Sequence, residues 1–457
     1  MRTRTVAVIG VGASGTLVAL HLLRAARAEG TALRLSLIDS SGRFGPGIAY
    51  ATADPHHLLN TPAGKLGAHA DDPGHFVRWA AGNGHGDDPA AFLPRSAYGQ
   101  YLTQTLRAEA RGADVEWLAD PAVELSPGPR GGRVGLRSGR RLDVDVVVLA
   151  LGAGATEPTS AKLPLAAPRY ISAPWQERAL DRISDDTPVL VVGTGLTMVD
   201  VALTLGRVRP RAVVHAVSRH GLLPRPHEPG HATGGVTTGP APTAHTLTQL
   251  VRQIRERVAA DPDRWREVVD ELRPYAPELW HRLDVVDRRR FLSRLQRYWE
   301  VHRHRVAPVV DARLTELHRS GRVHVHAGRV LDTRADHDGF DVRLAVRGGE
   351  RMLRVGWIVN ATGFAPSLGG RPDPLIRRML DDDVVTPDPL GLGIDTADDG
   401  RVVAGGNPQS WMFAVGALRR GTLFESTAVP EIRAQATAVA TLALSDTVPS
   451  MRQEVLQ

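Results

Sequence analysis

The sequence predicts an α/β fold built from two doubly wound units, and three observations carry that expectation. First, TVAVIG (5–10) reads as a buried strand. It runs through a glycine turn into a helical stretch ending near Ala28, and LRLSLID (33–39) follows as the next strand. Second, the same order recurs in PVLVVG (188–193), a glycine turn, the helix-like MVDVALTLG, and AVVHAVS (212–218). Third, RLDVDVVVLALGAG (141–154) and RVGWIVNATGF (354–364) both read as buried strands ending in glycine, as the two returns of an interrupted domain would. No repeat of solenoid period accompanies them.

These elements place a first domain at 1–165 and 354–457 and a second at 166–353. Residues 245–320 differ in character. They are rich in Arg and Trp, have helical periodicity (LTQLVRQIRERV, LWHRLDVVDRRRFLSRLQRYWEVHRHRV) and read as a helical insertion in the second domain. Residues 401–445 read as a strand (RVVAGG), a loop with aromatics and a helix starting near Thr427, with Pro430 in its first turn.

Composition narrows the chemistry. The absence of cysteine rules out disulfide reduction, thiolate metal sites, iron–sulfur ligation and cysteine nucleophiles in this chain. The 56 basic residues exceed the 50 acidic ones, and only Lys65 and Lys162 are lysines. Because the arginines alternate with acids, as in DRWREVVDELR, they read as solvated helix faces, and no nucleic-acid partner is expected. MRTRTVAVIG leads straight into a strand rather than a leader peptide. No apolar run approaches the ~20 residues of a membrane span. A cytoplasmic protein without membrane contact is expected, with homo-oligomerisation left open.

Gly10, Gly12 and Gly15 form a complete G-x-G-x-x-G, with Ser14 beside the last glycine, between a strand and a helix. Gly10 permits the tight turn, Gly12 lets the backbone approach a pyrophosphate, and Gly15 lets helix and strand pack closely. The helix N-terminus then favours the pyrophosphate charge, and Asp39, closing the next strand, accepts from ribose hydroxyls. A carboxylate there suits the unphosphorylated ribose of FAD or NAD. The glycine-rich GRFGPGIAY (42–50), placed to pass under a flavin, favours FAD. The second motif, VVGTGLTMVD (191–200), keeps Gly193 and Gly195 but has Met198 in place of the third glycine. Its next strand ends in Ser218-Arg219-His220 without a carboxylate, which suits the 2′-phosphate of NADPH. The full expectation is two Rossmann-like dinucleotide-binding domains, the FAD domain interrupted by an NADPH domain that carries the insertion.

Several long stretches resemble a widespread bacterial FAD/NAD(P)-binding protein family of two-dinucleotide-domain flavoproteins. They are PGIAYATADPHHLLNTPAGKLGAHADDPGHFVRWA (46–80), FLPRSAYGQYL (92–102), VGTGLTMVDVAL (192–203), SRHGLLPRPH (218–227), YWEVHRHRVAP (298–308), NATG (360–363) and LRRGTLFESTAVPEIRAQA (418–436). The resemblance spans nearly the whole chain and implies FAD at the first motif and a pyridine nucleotide at the second. Flavin-dependent N-hydroxylating and Baeyer–Villiger monooxygenases are its more distant relatives.

The candidate chemistry follows from these placements. Asn60 and Lys65 fall in the segment resembling the flavin-contacting loop and are the candidate catalytic residues. The amide of Asn60 suits the flavin edge or nicotinamide, and the ammonium of Lys65 suits flavin or a bound carboxylate. Thr362 and Gly363 end the second return strand as cofactor-binding candidates. Ser426 and Thr427 resemble the start of a flavin-facing helix, whose dipole favours negative charge on the reduced ring. AGGN (404–407) stands where relatives carry Gly-Asp for the ribityl chain. His56 and His57 are loop histidines with acid–base capacity or a capping role. His302-Arg303-His304-Arg305 reads either as a polar helix end or as a cationic wall toward NADPH phosphates or an acidic substrate. No set of residues has metal-ligand spacing.

The resulting expectation is an FAD- and NADPH-dependent monooxygenase that uses dioxygen on a small polar metabolite, with N-hydroxylation of an amino acid bearing a carboxylate side chain as its specific form. Two alternatives stand beside it: an NADPH-dependent flavoprotein reductase serving a partner or acceptor, and a non-catalytic nucleotide-binding redox sensor.

Overall fold

A computed structural model describes residues 2–154, 163–176, 178–183, 186–228, 239–363, 367–370 and 373–445. The run TVAVI lies in the strand Arg4–Ile9, with Val6, Ala7 and Val8 fully buried. A central parallel strand covered on both faces requires such a sequence. It pairs in parallel with Leu33–Ile38 on one side and Val146–Leu149 on the other. The helix Ala13–Glu29 makes the first crossover and ends at Gly30, whose left-handed conformation (φ +66°) lets its N–H reach back to the last carbonyls. The complete six-stranded sheet runs Arg401–Ala404, Asn407–Ala414, Val146–Leu149, Arg4–Ile9, Leu33–Ile38, Asp114–Leu118.

The second sheet has seven strands, in the order Gly349–Val355, Phe340–Val346, Val323–Ala335, Val214–Ser218, Val189–Val192, Trp357–Asn360, Tyr170–Ile171. Its helix Leu196–Val208 repeats the glycine-turn crossover of the first unit. An antiparallel three-stranded sheet, Ala122–Pro127, Gly132–Leu136 and Arg141–Val144, flanks the first unit. Among the described residues no helix is long and apolar enough to cross a membrane.

Three local expectations change. The sequence groups the strand Trp357–Asn360 with the first unit, which it places from residue 354 onward. The strand pairs instead with Val189–Val192 and Tyr170–Ile171 in the second sheet. A fully buried parallel strand has the same sequence character in either sheet, so its partner cannot be read from composition. The expected loop with aromatics is the strand Asn407–Ala414, which buries Trp411 and Phe413 and pairs with Val146–Leu149. AGGN forms the turn of its hairpin with Arg401–Ala404, where Gly405 and Gly406 take φ of +58° and +79°. The insertion is helical, but its last helix, Pro308–Arg319, packs on Leu196–Val208 and feeds Val323–Ala335. It is therefore the crossover helix of the second unit.

Candidate functional site

The first glycine turn is fixed by contact. A Cβ on Gly15 would lie 1.9 Å from the Gly10 carbonyl oxygen, and one on Gly10, at φ +87°, would lie 2.6 Å from the Ala150 carbonyl oxygen. A Cβ on Gly12 would lie 3.1 Å from Gly47 Cα, so the loop 42–50 rests on the motif itself. The helix Ala13–Glu29 begins at Gly12 with no side-chain cap and no acid in its first turn. Among the described residues neither a cap side chain nor a first-turn acid serves its first amides, which fits a pyrophosphate. Asp39 is anchored beside them: Oδ2 accepts the Val11 N–H (2.8 Å), and Oδ1 accepts the Ser41 N–H (2.9 Å) and hydroxyl (2.6 Å). One lone pair of Oδ2 remains for a ribose hydroxyl.

The far side of this turn comes from the C-terminal segment. A Cβ on Gly416 would lie 2.9 Å from Ser14 Oγ, the Gly416 N–H donates to Gln435 Oε1 (2.9 Å), and Gln435 Nε2 donates to the Ser426 carbonyl (3.2 Å). Ser426 is fully buried with its Oγ unpartnered among the described residues, whereas Thr427 is exposed. Gly416 and Gln435 went unnoticed in the sequence. The pattern that exposes Gly416 is a glycine ending a buried strand (MFAVG), the same pattern that singled out Gly10.

The second turn is looser. A Cβ on Gly193 (φ +117°) would lie 2.1 Å from the Ala361 carbonyl oxygen, which sets Thr362 and Gly363, both exposed, beside this turn rather than beside the first. A Cβ on Gly195 would meet nothing within 4 Å. The helix Leu196–Val208 again starts without a side-chain cap or a first-turn acid. Met198 is fully buried in the apolar core, filling the space that a third glycine would leave to the backbone. Thr194 Oγ1 hydrogen-bonds Ser218 Oγ (2.8 Å) and donates to the Leu222 carbonyl (2.6 Å), so the Ser218 hydroxyl is held at the strand end.

Arg219 is exposed there, and Arg297 approaches it from the insertion. Burial, then the Arg219 charge, pushes the Arg297 guanidinium below its usual range. Burial, then Arg297 and Arg219, lowers His220. Arg297 Nε is buried without a hydrogen-bond partner among the described residues. A cationic corner with a spare donor fits a 2′-phosphate. The sequence did not single out Arg297, since only the fold brings the insertion to this strand end.

The loop carrying Asn60 and Lys65 reaches the second unit and its insertion. The Asn60 carbonyl contacts His227 Nε2 at 3.0 Å, and Lys65 ends the short helical turn Ala63–Lys65. Lys65 belongs to a charged cluster drawn from three parts of the chain. Arg273 binds Glu431 through two nitrogens (2.5 and 2.6 Å), and Trp299 Nε1 donates to Glu425 (2.6 Å). Arg303 lies 3.5 Å from Glu425 and 3.7 Å from Glu431, and Arg305 pairs with Asp270. Burial lowers the Lys65 ammonium below its ordinary range. Asp270 opposes the shift, and Arg273, Arg305 and Arg303 reinforce it.

His57 lies elsewhere, in a polar junction between the units. Its Nδ1 meets Thr52 Oγ1 (2.7 Å) and its Nε2 meets Thr204 Oγ1 (2.8 Å). Thr204 gives its one proton to Asp54 (2.8 Å), so His57 Nε2 carries the hydrogen toward Thr204. Arg207 also donates to Asp54 (2.8 Å), and Arg95 pairs with buried Asp200 (2.9 Å). Burial raises Asp54, but the His56 N–H, Thr204 and Arg207 outweigh it and hold the carboxyl at about 2. With both nitrogens engaged, His57 ties the loop to the helix Leu196–Val208.

Two uncapped helix N-termini on two doubly wound sheets define a two-dinucleotide-domain fold. Residues 7–154 match the model of a family described as FAD-NAD(P)-binding, in agreement with the resemblance found in the sequence. No curated protein matches the chain. Among solved structures, L-lysine 6-monooxygenase from Pseudomonas syringae is similar at a TM-score of 0.67 and 17% identity, covering 97% of this chain and 99% of that one. Ornithine hydroxylase from Pseudomonas aeruginosa is similar at 0.66 and 13%, covering 97% and 98%. A cadaverine monooxygenase of desferrioxamine biosynthesis from Erwinia amylovora is similar at 0.67 and 13%, covering 100% and 98%. At these identities the likeness is one of fold, over both nucleotide units.

Proposed function

We propose that the protein is a cytoplasmic FAD- and NADPH-dependent monooxygenase that N-hydroxylates an amino acid with a carboxylate side chain. The observation that carries this reading is the Lys65 cluster, which joins the loop holding Asn60 and Lys65 to the insertion and, through Glu431, to the C-terminal helix. The similar folds of an ornithine hydroxylase, an L-lysine 6-monooxygenase and a cadaverine monooxygenase support amine oxidation as the reaction class.

Bound FAD, reduced by NADPH, supplies the oxygen chemistry: one oxygen atom ends on the substrate nitrogen and the other in water, with two electrons from NADPH. The protein's own groups do the rest. The first helix N-terminus and Asp39 would hold FAD, and the second N-terminus with Arg219 and Arg297 would hold NADPH, with Ser218 bracing the strand end through Thr194 and the Gly221 N–H. The amide of Asn60 orients what lies above the loop. Arginines stay protonated in proteins, so the cluster keeps its positive field at working pH. That field stabilises a bound carboxylate and disfavours protonation of the substrate amine, leaving its nitrogen lone pair free to react.

The test is aerobic NADPH oxidation by the FAD-loaded protein against a panel of amino acids and diamines, with product identified by mass. Acidic amino acids should couple NADPH consumption to a hydroxylated amine. Complete release of hydrogen peroxide with every amine, together with fast reduction of an artificial acceptor, would favour the reductase reading.

A further inference from the structure

The charged cluster contains two guanidinium groups that the protein leaves unsatisfied. Arg303 is 9% exposed and Arg305 2%. Arg303 Nε and Nη2 and Arg305 Nε and Nη1 have no hydrogen-bond partner among the described residues. The surrounding acids are already engaged: Glu431 by both nitrogens of Arg273, Glu425 by Trp299, and Asp270 by the remaining Arg305 nitrogen. Glu425 and Glu431 stand at ion-pair distance from Arg303 without completing a hydrogen bond to it. An arginine cannot shed its proton to relieve burial, and interior donors left unbonded are costly. Among the described residues of this cluster, the four cations Lys65, Arg273, Arg303 and Arg305 are set against three carboxylates, Asp270, Glu425 and Glu431, which leaves one negative charge fewer than the cations.

We infer that Arg303 and Arg305 form the subsite for the side-chain carboxylate of the substrate and that the same pair excludes diamines. The inference rests on the proposed amine oxidation for its setting but concerns binding alone. A carboxylate accepts two parallel N–H groups from a guanidinium and supplies the missing charge. A diamine such as cadaverine would bring a second ammonium against buried arginines that have no free acid to offer it.

The probe is succinate, an unreactive dicarboxylate, titrated into the FAD-loaded protein by calorimetry without NADPH. Saturable binding to the parent is expected, with the dissociation constant raised about tenfold or more in Arg303→Gln and in Arg305→Gln and partly recovered in Arg305→Lys. Cadaverine should give no binding heat. Flavin content and melting temperature check the fold of each variant. Should Arg305→Gln fail to fold, Arg303→Gln and Arg305→Lys carry the comparison. Arg219→Ala should leave succinate binding unchanged, and loss of binding there would place the anion at the second nucleotide turn and overturn the inference. Absence of succinate binding in the parent, or equal affinity in parent and Arg303→Gln, would also overturn it. Because no turnover is read, this outcome is separate from whether any amine is hydroxylated.

Discussion

The two nucleotide turns have the same chain order and opposite tolerances. In the first, every motif glycine has a near neighbour: Gly10 against Ala150, Gly12 against Gly47, Gly15 against Gly10. In the second, only Gly193 is confined, Gly195 faces open space, and Met198 occupies the third position as a buried side chain. The ribose corners differ in the same direction. Asp39 is locked by three hydrogen bonds, whereas the Arg219 corner is exposed and cationic. A turn braced on all sides suits a nucleotide that stays with the protein through its cycle. An open turn with an exposed phosphate corner suits one that enters and leaves.

The hardest test of that contrast is Gly15→Ala. Its Cβ would stand 1.9 Å from a backbone oxygen, and no rotamer relieves a backbone clash. Helix and strand must separate, at a cost at or above the ~3 kcal/mol upper range of overpacking. The variant should purify without yellow colour and melt well below the parent. Retained flavin with an unchanged melting temperature would show that the first turn is not braced as described.

How far the sequence reached can be judged from the same turns. Both βαβ openings were legible because a strand, glycines and an apolar helix recur at fixed offsets. Assignment of Trp357–Asn360 to a sheet was not legible, since four buried apolar residues fit either sheet. Trp411 and Phe413 suggested a loop because the glycine pair before them hid a hairpin. At the site, Asn60 and Lys65 stood out by loop position and residue type. Arg297 did not, because its role arises only when the insertion meets the strand end, and Gly416 ends a buried strand as Gly10 does but without further motif glycines to mark it. Arg303 and Arg305 were visible, but their burial was not, and burial separates a polar helix end from an anion subsite.

Arg219→Ala probes the open corner. Removing a charge-assisted contact to a phosphate costs on the order of 1.5–3 kcal/mol, so the preference for NADPH over NADH should fall about tenfold or more. Arg297→Ala should act in the same direction. If both hold one phosphate, the double variant should lose less than the sum of the single losses. Flavin reduction rates across nucleotide concentration measure this. Equal apparent affinities for the two nucleotides in the parent would reject the assignment of this corner.

Acid should weaken both units through their buried and half-buried histidines. Burial holds His69 in the first unit, and His215 and His227 in the second, at about 4. These histidines are neutral when folded and titrate near 6.5 when unfolded, so their stabilising contribution is present above 6.5 and is lost as pH falls toward 4. Asp54, held at about 2, has the same sign in a lower window and contributes nothing to the change between pH 7 and 5. Allowing for partial exposure, each histidine should cost on the order of 1 kcal/mol over that interval. His227→Gln keeps a donor for the Asn60 carbonyl and removes a titrating group. It should flatten the pH dependence of the urea midpoint, and an unchanged slope would show that His227 is already hydrated or charged in the folded protein.

The smallest stability effect should come from Gly195→Ala. Gly195 has φ −83° and ψ −165°, a conformation open to any residue, and its Cβ would touch no described atom within 4 Å. Alanine loses a few tenths of a kcal/mol relative to glycine at a helix N-cap and gains about 0.4–1 kcal/mol from the reduced freedom of the unfolded chain. The two nearly cancel, so the melting temperature should stay within about 2 °C of the parent. Nucleotide binding should not escape so lightly. On the proposed reading, a pyrophosphate meets the uncapped amides of Leu196–Val208 in the space before Gly195, and a methyl group there would hold the phosphates away. The KM for NADPH should rise several-fold, with flavin content and the maximal rate of reduction kept. Destabilisation on the scale of Gly15→Ala would erase the difference between the two turns. An unchanged KM at unchanged stability would move the pyrophosphate away from this turn and leave the open space before Gly195 to some other ligand.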